Sequence, residues 1–150
     1  MKITCTEEKL KNTIIDLSYD IPKNSLILLY GTVGSGKTII ARTLIHSLTK
    51  STETIQSPTF NLLHSYYTDF ISIHHADLYR IKHPDEIVEI GLFDCINSNA
   101  ITIIEWPNII EHLLHNCYMR IHIEKTNIPE IRSVEIEYHY TFNNTTQDES

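Results

Sequence analysis

Cysteine, glycine and clustered basic charge are all scarce in this sequence, and each scarcity removes a class of protein. The three cysteines, Cys5, Cys95 and Cys117, are odd in number and widely spaced, with no C-x-x-C pair. Such a set makes no disulfide framework and predicts reduced thiols in a cytoplasmic protein. Lysine and arginine form no cluster, and the net charge is −7, so autonomous binding to nucleic-acid phosphates is not expected. An acidic surface suits docking on a basic partner and equally suits plain solubility. No apolar run approaches the ~20 residues that cross a bilayer. Glu7 and Glu8 interrupt the first residues before an apolar stretch can form, so no secretory leader is expected. The nine histidines include His64, His74, His75 and His83, but none falls in a zinc-ligand spacing. Repeats and dividing linkers are absent too. With 150 residues, the chain is expected to form a single domain over 1–142, followed by a polar, disordered tail at 143–150.

Glycine is the most informative shortage. Of four in the chain, three fall within six residues, in Gly31-Thr32-Val33-Gly34-Ser35-Gly36-Lys37-Thr38. This is the G-x-x-x-x-G-K-[ST] pattern of a phosphate-binding loop. Glycines there let the backbone turn tightly and aim N–H groups at phosphate oxygens. Ser35 lies inside the loop, Lys37 would set a positive charge on the β/γ-phosphates, and the Thr38 hydroxyl would ligate Mg²⁺. The flanks agree. Leu26 to Tyr30 reads as a buried parallel strand, and Lys37 to Leu48 carries Ile40, Ala41, Leu44, Ile45 and Leu48 at helical spacing.

Elsewhere, Glu7 to Ser18 reads as a helix capped by Thr6. Asn61–Tyr67 and Phe70–Ala76 read as short strands around a Thr68-Asp69 turn. Pro84-Asp85-Glu86 opens a helix that Gly91 stops. Ile101 to Ile104 is a second buried-strand run, ended by Glu105-Trp106-Pro107. Ile109 to Leu114 is a short helix candidate, and Met119–Ile123 and Val134–Tyr140 alternate like antiparallel strands with one wet face. Together they predict an α/β fold of the P-loop NTPase type, with a mostly parallel central sheet, flanking helices and antiparallel edge strands.

Hydrolysis needs an acid near Mg²⁺ and a positioned water besides the loop. Glu105 and Asp77 each close a strand-like run, so both would emerge at the carboxyl edge where ligands sit in open α/β sheets. A buried carboxylate there calls for a metal or a basic partner. Tyr66, Tyr67 and Tyr79 read as packing residues, and Arg80 as a phosphate or partner contact or as one half of a salt bridge.

Four further segments carry a specific resemblance: Ser57-Pro58-Thr59-Phe60, His75-Ala76-Asp77-Leu78-Tyr79-Arg80, Glu86 to Gly91-Leu92, and Ile104-Glu105-Trp106-Pro107. With the glycine loop, and over roughly residues 25 to 110, the chain resembles the TsaE (YjeE-type) ATPases of tRNA threonylcarbamoyladenosine modification. The resemblance implies that Gly34, Ser35, Gly36, Lys37 and Thr38 hold ATP phosphates and Mg²⁺. It implies that Glu105 organises Mg²⁺ and the attacking water, that Asp77 supports the metal shell, and that Thr59 belongs to a switch-like loop. Trp106 would sit beside the nucleotide. The chain departs from the family pattern at Thr32, where an acid is usual, and at Lys9, where the N-terminal helix often carries threonine.

The implied activity is ATP hydrolysis, weak without partners, that resets an assembly of TsaD and TsaB transferase subunits. Transfer chemistry would then belong to the partners, and tRNA would be met only through the complex. A small-molecule or nucleotide kinase shares the strand, loop and helix and is the main rival. A GTP switch is disfavoured because the N-K-x-D tetrad is missing, and a module that binds ATP without turning it over is a third reading.

Overall fold

Alternating side-chain polarity and two continuous apolar runs build one seven-stranded sheet. The computed structural model describes residues 1–115 and 118–139. Its strands are β1 (Lys2–Thr6), β2 (Leu26–Tyr30), β3 (Leu63–Tyr67), β4 (Ser72–Asp77), β5 (Ile101–Glu105), β6 (Tyr118–Lys125) and β7 (Ile131–His139). They lie in the order β1-β7-β6-β2-β5-β4-β3. The four middle strands β6, β2, β5 and β4 run parallel, while β3 on one side and β7 and β1 on the other pair antiparallel. The expected mixed α/β architecture is therefore observed.

The helices are α1 (Glu7–Ser18), α2 (Lys37–Thr49), α3 (Pro84–Glu89) and α4 (Leu92–Ile96). Two cores form on opposite sheet faces. On one side Leu10 and Ile14 of α1 and Ile40, Ala41, Leu44 and Ile45 of α2 pack on Ile27, Leu29, Ile73, Ile101, Ile103, Ile121 and Val134. On the other, Ile87 of α3 and Leu92 of α4 pack with Leu26, Leu28, Ala76 and Ile104. Each fully buried Ile or Leu contributes about 1.5–3 kcal/mol relative to exposure. β2 and β5 are covered on both faces, which is why they read as unbroken apolar runs. β6 and β7 are covered on one only, so Met119, Ile121, Ile123, Val134 and Ile136 are buried between less buried residues, as their alternation predicts.

Several boundaries and elements differ from the sequence expectation. β6 is not an edge: it pairs parallel with β2 as well as antiparallel with β7. β3 and β4 each begin two residues later than expected. Lys2–Thr6 forms an edge strand that its five residues were too short and too polar to announce. Its ladder is extended by Ile136 N–H donating to the Met1 carbonyl at 2.8 Å. Gly91 ends α3 as expected, but its left-handed φ of 74° also opens α4. Instead of a helix, residues 109–114 take part in two 3₁₀ turns, Pro107–Ile109 and Glu111–Leu113. Cys117, Tyr140, the 142/143 boundary and the predicted tail 143–150 lie outside the described residues.

Candidate nucleotide site at the carboxyl edge of the sheet

The parallel strands β2, β4 and β5 share one carboxyl edge, and the site residues cluster there. Parallel register places Asp77 of β4 beside Glu105 of β5, which in turn lies beside Leu29 of β2. Side chains two apart share a face, so Glu105 follows Ile101 and Ile103, and Asp77 follows Ile73, on the side that α2 covers. Glu105 is 2% exposed and Asp77 5%. These are buried carboxylates, not solvated strand ends.

The glycine loop joins β2 to α2 across this edge. Gly31, Gly34 and Gly36 all have left-handed φ values, of 148°, 71° and 121°. Gly36 is also the N-cap of α2, and no side chain caps that helix. The first-turn N–H groups of α2 therefore face the loop, the ordinary arrangement for binding an anion at a helix start. Space is tightest at Gly31, where a Cβ would lie 2.1 Å from the Ile123 carbonyl oxygen. Gly31→Ala is accordingly expected to destabilise the fold by about 2–4 kcal/mol, from overpacking plus backbone strain. Thermal melting should fall by roughly 5–15 °C. Gly91→Ala has no atom within 4 Å of the new Cβ and serves as the control. It should cost only about 1–2 kcal/mol, for its left-handed backbone.

Lys37 is 4% exposed and folds back over the loop. Its Nζ donates to the carbonyls of Gly31 (2.7 Å) and Thr32 (2.9 Å) and lies 3.9 Å from the Trp106 ring centroid. Burial pushes this ammonium below the ordinary lysine range; Glu105 and Asp77 oppose the shift, and nearby Lys125 adds to it. An arriving anion would relieve that cost. The Thr38 hydroxyl donates to Oε2 of Glu105 at 2.9 Å. Thr59, in the loop before β3, donates to Oδ2 of Asp77 at 3.1 Å and pairs with the Ser57 hydroxyl at 2.7 Å. The other Asp77 oxygen accepts the Tyr79 backbone N–H at 3.0 Å.

Trp106 adopts φ 58°, ψ 53°, a left-handed conformation rare for a bulky residue. Strain of this kind costs about 1–3 kcal/mol and persists only where surrounding contacts hold it. Here Trp106 N–H donates to the Leu29 carbonyl, and the ring lies against Lys37 and against Tyr79, whose centroid is 4.9 Å away. Tyr79 is thus not core packing: it is 56% exposed at the rim. Arg80 stacks 4.5 Å over Phe60 and forms no ion pair with an acid among the described residues.

Two cavities meet at the loop. One, of about 320 Å³, is lined by Gly34, Gly36, Lys37, Thr38, Thr59, Asp77, Tyr79, Glu105 and Trp106. The second, of about 390 Å³, lies beyond the same loop against Thr6, Glu7, Glu8 and Leu10 of the α1 start, Pro129 and Glu130 of the β6–β7 connection, and Arg132 of β7. Ser35 also lines the second cavity, with its buried hydroxyl oxygen unpaired among the described residues.

Gly34, Ser35, Gly36, Lys37, Thr38, Thr59, Asp77, Glu105 and Trp106, the site residues expected from the sequence, therefore gather around one loop. Sequence reasoning missed three others. His75 donates to Glu105 Oε1 at 2.9 Å. Arg132 Nε donates to the Ser35 carbonyl at 2.8 Å. The Lys125 ammonium lies 3.3 Å from where a Gly34 Cβ would be. Lys125 and Arg132 are partners across the β6–β7 ladder. Only that long-range pairing brings them to the loop, and no local pattern marks them.

The architecture defines a mixed α/β protein built on a strand, glycine loop and helix, with two acids at the ends of neighbouring parallel strands. The chain belongs to the TsaE family: residues 4–134 match the family model described as threonylcarbamoyl adenosine biosynthesis protein TsaE. It is 40% identical over 119 residues to the Rickettsia bellii tRNA threonylcarbamoyladenosine biosynthesis protein TsaE, covering 79% of this chain and 82% of that protein. The Bacillus subtilis protein of the same name is 28% identical over 105 residues, covering 70% and 65%. The fold is similar to the crystal structure of Bacillus subtilis YdiB, with a TM-score of 0.74, 19% identity and coverage of 95% of this chain and 86% of that one. Family membership ties the chain to tRNA threonylcarbamoyladenosine biosynthesis. No helix among the described residues is long and apolar enough to cross a membrane.

Proposed function

We propose that this chain is a Mg²⁺-dependent ATPase that serves as an accessory factor in tRNA threonylcarbamoyladenosine formation. The observation that carries the reading is the bond from the Thr38 hydroxyl to the buried Glu105 carboxylate, set against a glycine cradle and a buried lysine. The donor set fits the ligands. Thr38, Glu105 and Asp77 offer hard oxygens of the kind Mg²⁺ takes, and the loop at Gly31 has no room for a side chain. Bound there, Mg²⁺ would neutralise charge developing on the phosphate oxygens.

In this reading the loop N–H groups and the start of α2 cradle the phosphates, while Lys37 leaves the Gly31 and Thr32 carbonyls for them. The nucleoside occupies the second cavity, between the apolar surfaces of Leu10, Ile39 and Pro129. Glu105 orients the attacking water and draws on its proton. The water oxygen bonds to the γ-phosphorus as the bond from that phosphorus to the β–γ bridging oxygen breaks, the water's proton passes by way of Glu105 to the released phosphate, and ADP and inorganic phosphate leave. Thr59 and Asp77 hold the loop bearing Phe60 close to the reacting phosphate. Turnover resets a TsaD–TsaB transferase assembly in the cytoplasm, and tRNA is met through that assembly. The resemblance in sequence and the family's named pathway support these partners.

The test is phosphate release from ATP, with and without purified TsaD and TsaB, alongside titration of Trp106 fluorescence. Trp106 is the only tryptophan, so Mg·ATP should change the emission. Stimulated phosphate release is the expected result. Phosphoryl transfer to a small acceptor would favour a kinase, and a silent titration at saturating nucleotide would remove Trp106 from the site.

A further inference from the structure

The mechanism just proposed leaves the buried imidazole of His75 without a role. His75 lies in the middle of β4, fully buried, and pairs in register with Ile103. It is two residues before Asp77, so strand periodicity puts it on the same α2-covered face as Asp77 and Glu105. Its Nε2 lies 2.9 Å from Glu105 Oε1. An ionised carboxylate only accepts, so Nε2 carries the hydrogen of this bond. The other ring nitrogen, Nδ1, has no partner among the described residues. The ring's polar contact is therefore with Glu105 alone.

The consequence concerns orientation. Glu105 is gripped at both oxygens: Oε1 by His75 from within the sheet, and Oε2 by the Thr38 hydroxyl at the cavity wall. Two bonds from opposite sides remove the carboxylate's freedom to rotate. We propose that His75 is a positioning residue that turns the Glu105 carboxylate toward Thr38 and the phosphate cavity. This rests on the ATPase reading for its catalytic consequence, but the grip itself is a property of the protein alone. Outer partners that orient metal-site ligands typically matter by 10–100-fold in affinity or activity.

The test combines His75→Asn, His75→Leu and His75→Gln with two readouts. Affinity for ADP, followed by Trp106 fluorescence, should stay within about 2-fold of wild type without Mg²⁺, because His75 is not among the residues that line the phosphate cavity. The gain in ADP affinity on adding Mg²⁺, and kcat, should each fall by roughly 10–100-fold in the Asn and Leu variants. KM should move far less than kcat. His75→Gln can place an amide N–H near the Nε2 position and should recover much of the loss. In a Glu105→Ala background, His75→Asn should add little further, since the residue it acts through is gone.

Undiminished Mg²⁺ gain and kcat in His75→Leu would overturn the proposal. So would equal loss of Mg²⁺-free ADP affinity, or additive losses with Glu105→Ala, because either marks a merely structural role. Should the His75 variants fail to fold, nitrogen-15 NMR of the wild-type histidine rings decides. A slowly exchanging Nε2–H that is lost in Glu105→Ala supports the pair, and a ring indifferent to that loss of the acceptor refutes it. A wild-type protein with no turnover sinks the ATPase reading, while the Mg²⁺-dependent ADP affinity and the NMR signal still decide the role of His75.

Discussion

Lys37→Ala should weaken nucleotide binding by at least about 30-fold and leave no measurable ATP turnover. The arithmetic starts from a charge-assisted bond to phosphate, worth about 1.5–3 kcal/mol each, with tenfold in affinity for every 1.4 kcal/mol. Lys37 is positioned to make more than one. Its ammonium is held by two carbonyls and the Trp106 ring, and burial disfavours its charge. Phosphate replaces those modest contacts with a full countercharge in a poorly solvated site. The loss should therefore appear chiefly in affinity. Isothermal titration with Mg·ATP, and circular dichroism to confirm the fold, check it; binding within 3-fold of wild type would remove the phosphate role of the loop.

Glu105→Ala should behave in the opposite way, keeping nucleotide but cutting hydrolysis by about 10²–10³-fold. Catalysis of phosphoryl transfer is almost wholly positioning and electrostatics, and loss of one well-placed group typically has this size. Lys37 and the loop N–H groups remain, so Mg²⁺-free ADP should bind as before. The substitution also leaves the Thr38 hydroxyl without its acceptor and His75 without the partner of its Nε2. A buried polar group left unsatisfied costs about 1–3 kcal/mol, so a lower denaturation midpoint is expected alongside the kinetic loss. Single-turnover hydrolysis together with urea unfolding separates the two effects. Wild-type turnover in a stable Glu105→Ala variant would take Glu105 out of the mechanism.

His75 shows where sequence reading stopped. The four histidines near β3, β4 and α3 have no zinc-ligand spacing along the chain. Ligand spacing of that kind concerns only neighbours along the chain. His75 and Glu105 are thirty residues apart, and only the parallel register of β4 with β5 brings them together. Trp106 is a second case. Its place beside the nucleotide loop follows from the resemblance, but its left-handed backbone and its ring over Lys37 depend on Leu29 and Tyr79. Tyr79 differs from its expected packing role for the same reason, and the stacking of Arg80 was likewise illegible. Each faces a partner supplied by another segment, Trp106 for one and Phe60 for the other.

Two kinds of information are thus separable in this protein. Local chemistry determined the glycine loop, the buried strands on either side of the site, the helix it opens and the acids at two strand ends. Glycine's tolerance of positive φ, strand alternation and helical spacing all act within a few residues, so one dimension suffices to read them. Strand order and register determined the rest. They buried Glu105 and Asp77 side by side, gave Glu105 its grip from His75, and carried Lys125 and Arg132 from the far hairpin to the loop. Those contacts join segments up to about a hundred residues apart, and only the closing of hydrogen-bonded ladders over two cores specifies which residues meet.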